Sequence, residues 1–399
     1  MRVRLFGEDL VAFRDTEGKV GLVVENCPHR GASLYFGRNE DCAIRCVYHG
    51  WAFDRDGNCT DMPSEPRPFA DRIKLTAYPT HESGGIVWTY MGPKETMTPF
   101  RDFGTESLAE DEYNVFKLHS TCNWVQAMEG NLDSAHISFL HQFNGIEEIP
   151  DDGTDTPGYN SNAMSMKFWR YDKHPRFEIQ DYWYGYRYGA LRTTPNGHTH
   201  VRINGFVFPF NTLVANPPFS TRQGLFVPID DHNCWRWSIL TQPTAAAAAN
   251  GATQRQAIKQ WPYAPTFRRQ GTGITPRQWT PENDYQIDRG LQLDKTARGT
   301  FSGIADFVSQ DLMVTESMGA IYDRSKEHLG TSDQCIIRMR TLLINAAKGL
   351  AEGKEPPAVG ADHDYRSIRV GEKVLEPGED WKRIGTDDDP AVQELLLAD

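Results

Sequence analysis

Cys27-Pro28-His29-Arg30-Gly31-Ala32-Ser33-Leu34 and Cys46-Val47-Tyr48-His49-Gly50-Trp51 are the two stretches that decide how this chain is read. Each supplies one cysteine and one histidine, as C-x-H and C-x-x-H, with 16 residues between His29 and Cys46. Two thiolates and two imidazoles suit a [2Fe–2S] cluster in which cysteines hold one iron and histidines the other, an arrangement that raises the potential above that of a four-cysteine cluster. Zinc also accepts two cysteines and two histidines, but zinc fingers of that composition separate a Cys pair from a His pair. Here each loop mixes them, which favours the cluster. Cys42 and Cys59 lie nearby without a C-x-x-C partner and read as small, partly buried thiols.

Around these loops, residues 1 to 95 hold short β-like runs, VRLFG, DLVAFRD, KVGLVVE, CAIRCVYH and GGIVWTYMG, broken by turns such as DTEGK and DRDGN. They predict a small all-β module. Residues 96–114 are polar enough to be a connector, leaving 115–399 as a second domain. There, 122–141 reads as largely helical, and 177–240 returns to strand character with aromatic faces, predicting an antiparallel sheet. The overall class is α+β. The alanine run 245–249 reads as a surface loop or helix start. Residues 305–329 read as helical with Gly330 at the C-cap position, and the last fifty residues as extended and loop-rich.

A second chemical site is written in NLDSAHISFLH. Asp133, His136 and His141 form D-x-x-H-x-x-x-x-H. On a regular α-helix Asp133 and His136 lie about 60° apart, but His136 and His141 about 140° apart. The pair therefore predicts a π-type bulge or a helix end between the two imidazoles. Two histidines and a carboxylate with open positions make the facial triad of non-haem Fe(II) oxygenases. The carboxylate is expected at Asp311, because Phe307, Asp311, Val314, Met318 and Ile321 recur at helical spacing and place an acid in an apolar stripe. An arginine or backbone donor could satisfy a buried Asp311 instead. Glu316 and Asp306 fall off that stripe.

Bulk composition narrows the function. The 399 residues carry a net charge of −12, which gives nucleic acids and anionic membranes little to attract. No apolar run reaches the ~18–20 residues of a membrane helix, and the N-terminus has no signal-peptide core. A cytoplasmic location is expected. In YWYGYRYGALR, strand alternation puts Trp183, Gly185, Arg187, Gly189 and Leu191 on one face. Arg187 could hold the carboxylate of an aromatic acid, or serve a structural carboxylate. Arg192 and Arg202 are weaker candidates, and His198 and His200 read as turn residues.

The loops CPHRGASL and CVYHGWAFD resemble those of Rieske oxygenases. Ala32 and Tyr48 stand where Rieske subunits of respiratory complexes carry the cysteines of an extra disulfide. RVRLFGEDLVAFRD, CPHRGASLYFGR, NWVQAMEGNLDSAHISFLH, NDYQIDR, FSGIADFVSQD and ESMGAIYDRSKEHLG extend the likeness over most of the chain. The chain looks like the phthalate dioxygenase-like branch of the Rieske non-haem iron oxygenase α subunits. The resemblance implies a Rieske domain with a helix-grip (START-like) catalytic domain, one [2Fe–2S] cluster and one mononuclear Fe(II). It also implies a head-to-tail homotrimer, a partner reductase drawing on NAD(P)H, and an aromatic substrate with O₂, such as a phthalate- or phenoxybenzoate-like acid. It assigns Cys27 and Cys46 to the inner cluster iron, His29 and His49 to the outer one, and His136, His141 and Asp311 to the catalytic iron. By the same analogy Asp133 links His136 to His49 of a neighbouring subunit. Monooxygenation or demethylation is the alternative reaction, and a plain Rieske electron carrier the alternative outside enzymes. Several dozen residues precede the MRVRLFGEDL strand in the family, so the first domain is expected to lack N-terminal residues through a misassigned start.

Overall fold

A computed structural model describes residues 1–106, 113–144, 155–157, 162–216, 219–241, 277–296, 298–360 and 363–385. It divides into two compact units, one of Met1–Arg101 with Pro228–Asp230, the other of Asp102–Val227 with Asp231–Asp399. The division at Arg101 falls inside the connector expected at 96–114.

The first unit is built from short strands. β1 (Arg2–Leu5), β2 (Glu8–Arg14), β3 (Val20–Val24) and β8 (Ala77–Tyr78) form one antiparallel sheet. β4 (Arg38–Glu40), β5 (Ala43–Arg45), β6 (Ala52–Asp54) and β7 (Cys59–Asp61) form a second, and β9 (Thr80–Ser83) pairs with β10 (Ile86–Thr89). Val11, Val23, Leu34, Ile44, Phe53 and Leu75 make its core, together with Cys27, Cys46 and Trp51 from the two loops. Pro228–Asp230 joins this unit because the amides of Phe6 and Gly7 donate to Pro228 O and Ile229 O at 3.0 and 2.8 Å.

The second unit is an antiparallel sheet of eight strands. They are β11 (Tyr113–Ser120), β12 (Arg176–Tyr182), β13 (Gly185–Thr193), β14 (Thr199–Val207), β15 (Asn211–Asn216), β16 (Phe219–Pro228), β17 (Cys234–Thr241) and β18 (Gly371–Val374). Seven run in the order β11-β17-β16-β15-β14-β13-β12. β18 pairs with residues 200–203 of β14 and β15 with residues 205–207, so the two share one edge of that strand. The helices are α1 (Trp124–Leu132), α2 (Asn162–Tyr171), α3 (Arg289–Leu293), α4 (Phe307–Ser317) and α5 (Gln334–Ala351).

β13 shows why the sheet positions the site. It is buried on both faces up to Arg192. Tyr186, Tyr188 and Ala190 pack with Met128 and Leu132 of α1 and with Cys335 and Met339 of α5. On the opposite face Leu191 packs with Val201, Ile203 and Trp381. An antiparallel sheet gripping helices on one face is the catalytic-domain class expected from the sequence.

Three local expectations are corrected. Residues 305–329 are not one helix: α4 stops at Ser317, Gly319 follows at φ +88°, and Met318 and Ile321 are 47% and 56% exposed. Gly330 lies ahead of α5, its N–H donating to Asp333 at 2.7 Å, and caps no helix end. His200 is a fully buried residue of β14, not a turn residue. The 245–249 run lies outside the described residues. Among the described residues, no helix is long and apolar enough to cross a membrane.

Candidate metal centres

The two cluster loops share one backbone design. Cys27 N–H donates to Ala32 O and Gly31 N–H returns to Cys27 O, both at 2.9 Å. In the hairpin between β5 and β6, Cys46 N–H donates to Trp51 O at 2.8 Å and Gly50 N–H returns to Cys46 O at 2.9 Å. Each loop thus closes on its cysteine through a glycine four residues on, with φ +75° at Gly31 and +78° at Gly50. Positive φ is the conformation that glycine adopts without a Cβ penalty. Any larger residue at Gly50 would also meet Pro63 Cγ at 2.7 Å.

This design buries the two thiols and leaves the two imidazoles half-buried. Cys27 and Cys46 are 1% and 3% exposed, whereas Val47 and Tyr48 beside His49 stand 58% and 53% exposed. The His29 and His49 rings lie 4.4 Å apart, and His29 stacks on Trp51 at 4.5 Å and 8°. Nδ1 of both histidines is buried without a hydrogen-bond partner. Burial, with Cys46 nearby, pushes the Cys27 thiol up to about 11 although the His29 amide opposes it. Two orphaned imidazole nitrogens and two buried, unbridged thiols on neighbouring loops are a donor set that suits a [2Fe–2S] cluster.

In the second unit, α1 ends where the chemistry begins. Leu132 is its last residue and Asp133 its C-cap, and Asp133 Oδ1 then accepts from the amides of Ala135 at 2.7 Å and His136 at 3.3 Å. A 3₁₀ turn, His136–Ser138, separates the two histidines. The expected break is therefore a helix end, one turn earlier than the histidine spacing required. The sheet holds this exit in place: Tyr188 OH donates to Leu132 O, and Arg192 donates to Ser134 O at 2.7 Å.

From the other side, α4 presents Phe307, Gln310 and Asp311. The His141 ring stacks on Phe307 at 3.7 Å and 15°. Gln310 is fixed by donating its amide to Ile304 O at 2.7 Å, so its Oε1 faces His141 Nδ1, also at 2.7 Å. His141 Nδ1 must then carry the proton, which leaves a lone pair on Nε2. His141 Nε2 lies 3.2 Å from His136 Nε2 and 3.1 Å from Asp311 Oδ1, and His136 Nε2 lies 3.5 Å from the same oxygen.

Three electron-rich atoms facing one point repel unless a cation sits among them. The mean edge of this triangle divided by √3 puts each atom about 1.9 Å from the centre, just short of the ~2.0–2.2 Å of zinc–imidazole and zinc–carboxylate bonds. An ion would therefore cap the triangle on one face. Burial lowers the His136 imidazole more than Asp133 raises it, which favours the neutral form that binds metal. Burial alone would push Asp311 up, but His141, His136 and Arg236 outweigh it and hold the carboxyl below the usual range. These three side chains form a group that could hold a single metal ion, their ligand atoms lying within 4.8 Å of one another.

The rival carboxylates have other work. Glu316 accepts from Ser120 Oγ, Thr121 N–H, Tyr285 OH and both Nη atoms of Arg277, at 2.6–3.0 Å. Asp306 caps α4 by accepting from Ser309 N–H at 2.7 Å. Arg187 is corrected as a substrate contact. It faces away from α1, donating to Ile384 O at 2.8 Å and Lys382 O at 2.7 Å, while Tyr186, Tyr188 and Arg192 take the other face of the strand. It serves backbone carbonyls, not a carboxylate. The parts played by Gln310 and Tyr188, the stacking of Phe307 on His141 and the Ser134 contact of Arg192 went unread because each depends on a partner far along the chain.

Two metal centres of these types on this pair of folds define a Rieske-type oxygenase. Family models agree: residues 1–79 match the Rieske [2Fe-2S] domain and 89–395 the LigXa C-terminal domain like family. The phthalate 4,5-dioxygenase oxygenase subunit of Pseudomonas putida is 34% identical, covering 96% of this chain and 84% of that protein. The 3-chlorobenzoate-3,4-dioxygenase oxygenase subunit of Comamonas testosteroni is 33% identical, covering 96% and 88%. Dicamba monooxygenase bound to dicamba shares the fold at 15% identity and a TM-score of 0.57, over 88% of this chain and 93% of that one. The chain belongs to the Rieske non-haem iron oxygenases, in the phthalate dioxygenase-like branch, as a terminal oxygenase subunit with one [2Fe–2S] cluster and one mononuclear iron.

Proposed function

We propose that Cys27, His29, Cys46 and His49 hold the cluster, that His136, His141 and Asp311 hold Fe(II), and that the enzyme dihydroxylates an aromatic acid. The convergence of His136 Nε2, His141 Nε2 and Asp311 Oδ1 within 3.5 Å carries the iron assignment. When bound, the cluster supplies one-electron transfer and the iron activation of O₂. The protein's part is to orient these groups. Gln310 fixes the tautomer of His141 and Phe307 fixes its plane. Asp133 holds the His136 backbone through Oδ1 and sets Oδ2 3.8 Å from His136 Nδ1. This geometry supports Asp133 as the carboxylate that orients the imidazole and, in the relay role implied by the family, links it to a second one.

An aromatic acid as substrate is supported by the names of the relatives, which include dioxygenases of phthalate, 3-chlorobenzoate and phenoxybenzoate. A homotrimer, an NAD(P)H-dependent reductase and a cytoplasmic location complete the reading, supported by the same likeness and by the reductant such chemistry needs. Aerobic turnover of benzoates, phthalates and phenoxybenzoates with a surrogate reductase, read by mass spectrometry, tests it. Gain of two oxygen atoms with the ring retained as a diol is the expected product. Gain of one oxygen or loss of a methyl group would replace dihydroxylation by monooxygenation.

A further inference from the structure

The peptide units on either side of Asp133 are both pinned by one strand. Leu132 O accepts from Tyr188 OH, and Ser134 O accepts from Arg192 Nη2 at 2.7 Å. Tyr188 and Arg192 both belong to β13, and strand alternation puts them on the same face. Leu132 is the last residue of α1, and the final carbonyls of a helix have no partner within it. Leu132 is also fully buried, so its carbonyl must find that partner in the protein rather than in solvent.

Behind Tyr188 the direction of each contact is fixed by the one before it. β14 changes its edge partner at Asn204, from β18 along residues 200–203 to β15 along residues 205–207. Ala215 sits where the pairing of β15 with β16 shifts register, and its N–H donates to Asn204 Oδ1 at 3.0 Å. A backbone N–H can only donate, so this contact orients the Asn204 amide and turns Nδ2 towards Tyr188 OH, also at 3.0 Å. The phenol oxygen accepts there, which directs its single proton to Leu132 O. Tyr188 and Asn204 are 0% and 1% exposed, so no water competes along the way. Three hydrogen bonds in series thus run from an irregularity in the sheet to the helix end that carries Asp133.

Tyr186 supplies the contrast. It shares the face of β13, is equally buried, and donates to Cys335 O on α5 at 2.6 Å. Removing either hydroxyl leaves a buried carbonyl unpaired, at a similar cost to the fold. Only the Tyr188 hydroxyl ends beside Asp133.

We propose that Tyr188 and Asn204 are positioning residues of the iron centre, holding the Leu132 carbonyl and through it the turn from Asp133 to His136. The proposal rests on reading His136 as an iron ligand.

The test compares Tyr188→Phe, Asn204→Leu, the double variant and Tyr186→Phe in the cluster-loaded protein. Anaerobic Fe(II) titration gives the affinity, and EPR of the nitric oxide adduct of the bound Fe(II) reports the ligand arrangement. Tyr188→Phe and Asn204→Leu should each weaken Fe(II) binding about 3- to 10-fold, the range one buried hydrogen bond supplies, and should alter the EPR signal. Because the contacts act in series, the double variant should match Tyr188→Phe rather than multiply the two losses. Tyr186→Phe should lower the unfolding midpoint as far as Tyr188→Phe does, yet keep wild-type Fe(II) affinity and EPR signal. Wild-type affinity in Tyr188→Phe or Asn204→Leu, an equal loss in Tyr186→Phe, or losses that multiply in the double variant overturn the relay. If Asn204→Leu fails to fold, the two tyrosine variants decide. A wild-type protein that takes up no third iron atom strikes the iron assignment itself, and the relay with it.

Discussion

The two metal centres are made in opposite ways. The proposed cluster site is local: two short loops, each closed on its own cysteine by a glycine with positive φ, carry all four proposed ligands within residues 27–49. The iron site is distant: His136 and His141 come from the exit of α1, and Asp311 arrives on α4 some 170 positions later. The first needs only its own turns. The second needs α1, α4 and the sheet to meet correctly, so substitutions far from the metal should reach it and leave the cluster untouched.

The largest expected effect breaks the local site alone. Cys46→Ser removes one of two thiolate ligands, so the red-brown absorbance should vanish and iron fall from about three to about one atom per chain. Iron assay and visible spectroscopy read both. Next comes Glu316→Ala, which strips five hydrogen bonds from a buried carboxylate and orphans Arg277. Losing one partner of a buried pair costs about 3–5 kcal/mol; denaturant unfolding should show it in the second unit, with the cluster spectrum unchanged in native buffer.

Gln310→Leu sharpens the contrast further. It frees His141 Nδ1, and losing such a supporting contact lowers metal affinity about 10- to 100-fold. Titration with Fe(II) under anaerobic conditions measures it. The smallest effect is expected at Gly130, where an added Cβ would lie 2.8 Å from Thr315 Cγ2 on α4. Overpacking costs about 1–3 kcal/mol, partly offset by about 1 kcal/mol of helix propensity. Gly130→Ala should therefore loosen iron at the second site by a few-fold while the cluster stays loaded.

What could be read from the chain follows the same divide. The Rieske domain was legible because its two Cys/His loops are short and local, and the histidine pair was legible as a break in helical phase. Asp311 was found for a reason that only partly holds. The supposed apolar stripe ends at Ser317, and α4 buries Ser309, Gln310, Asp311, Leu312, Thr315 and Glu316, a mostly polar set whose partners include His141, Ile304, Ser120, Tyr285 and Arg277. Such a helix does not announce its buried face by hydrophobicity. The error at Arg187 has another cause. β13 is covered on both faces, so alternation told which residues travel together but not which set faces the iron.

The most direct test of the distributed iron site is Asp311→Ala, measured as iron per chain with the cluster spectrum recorded on the same sample. The account predicts a fall from about three to about two iron atoms with the [2Fe–2S] absorbance intact. Three retained atoms, or loss of the cluster along with the third, would contradict it.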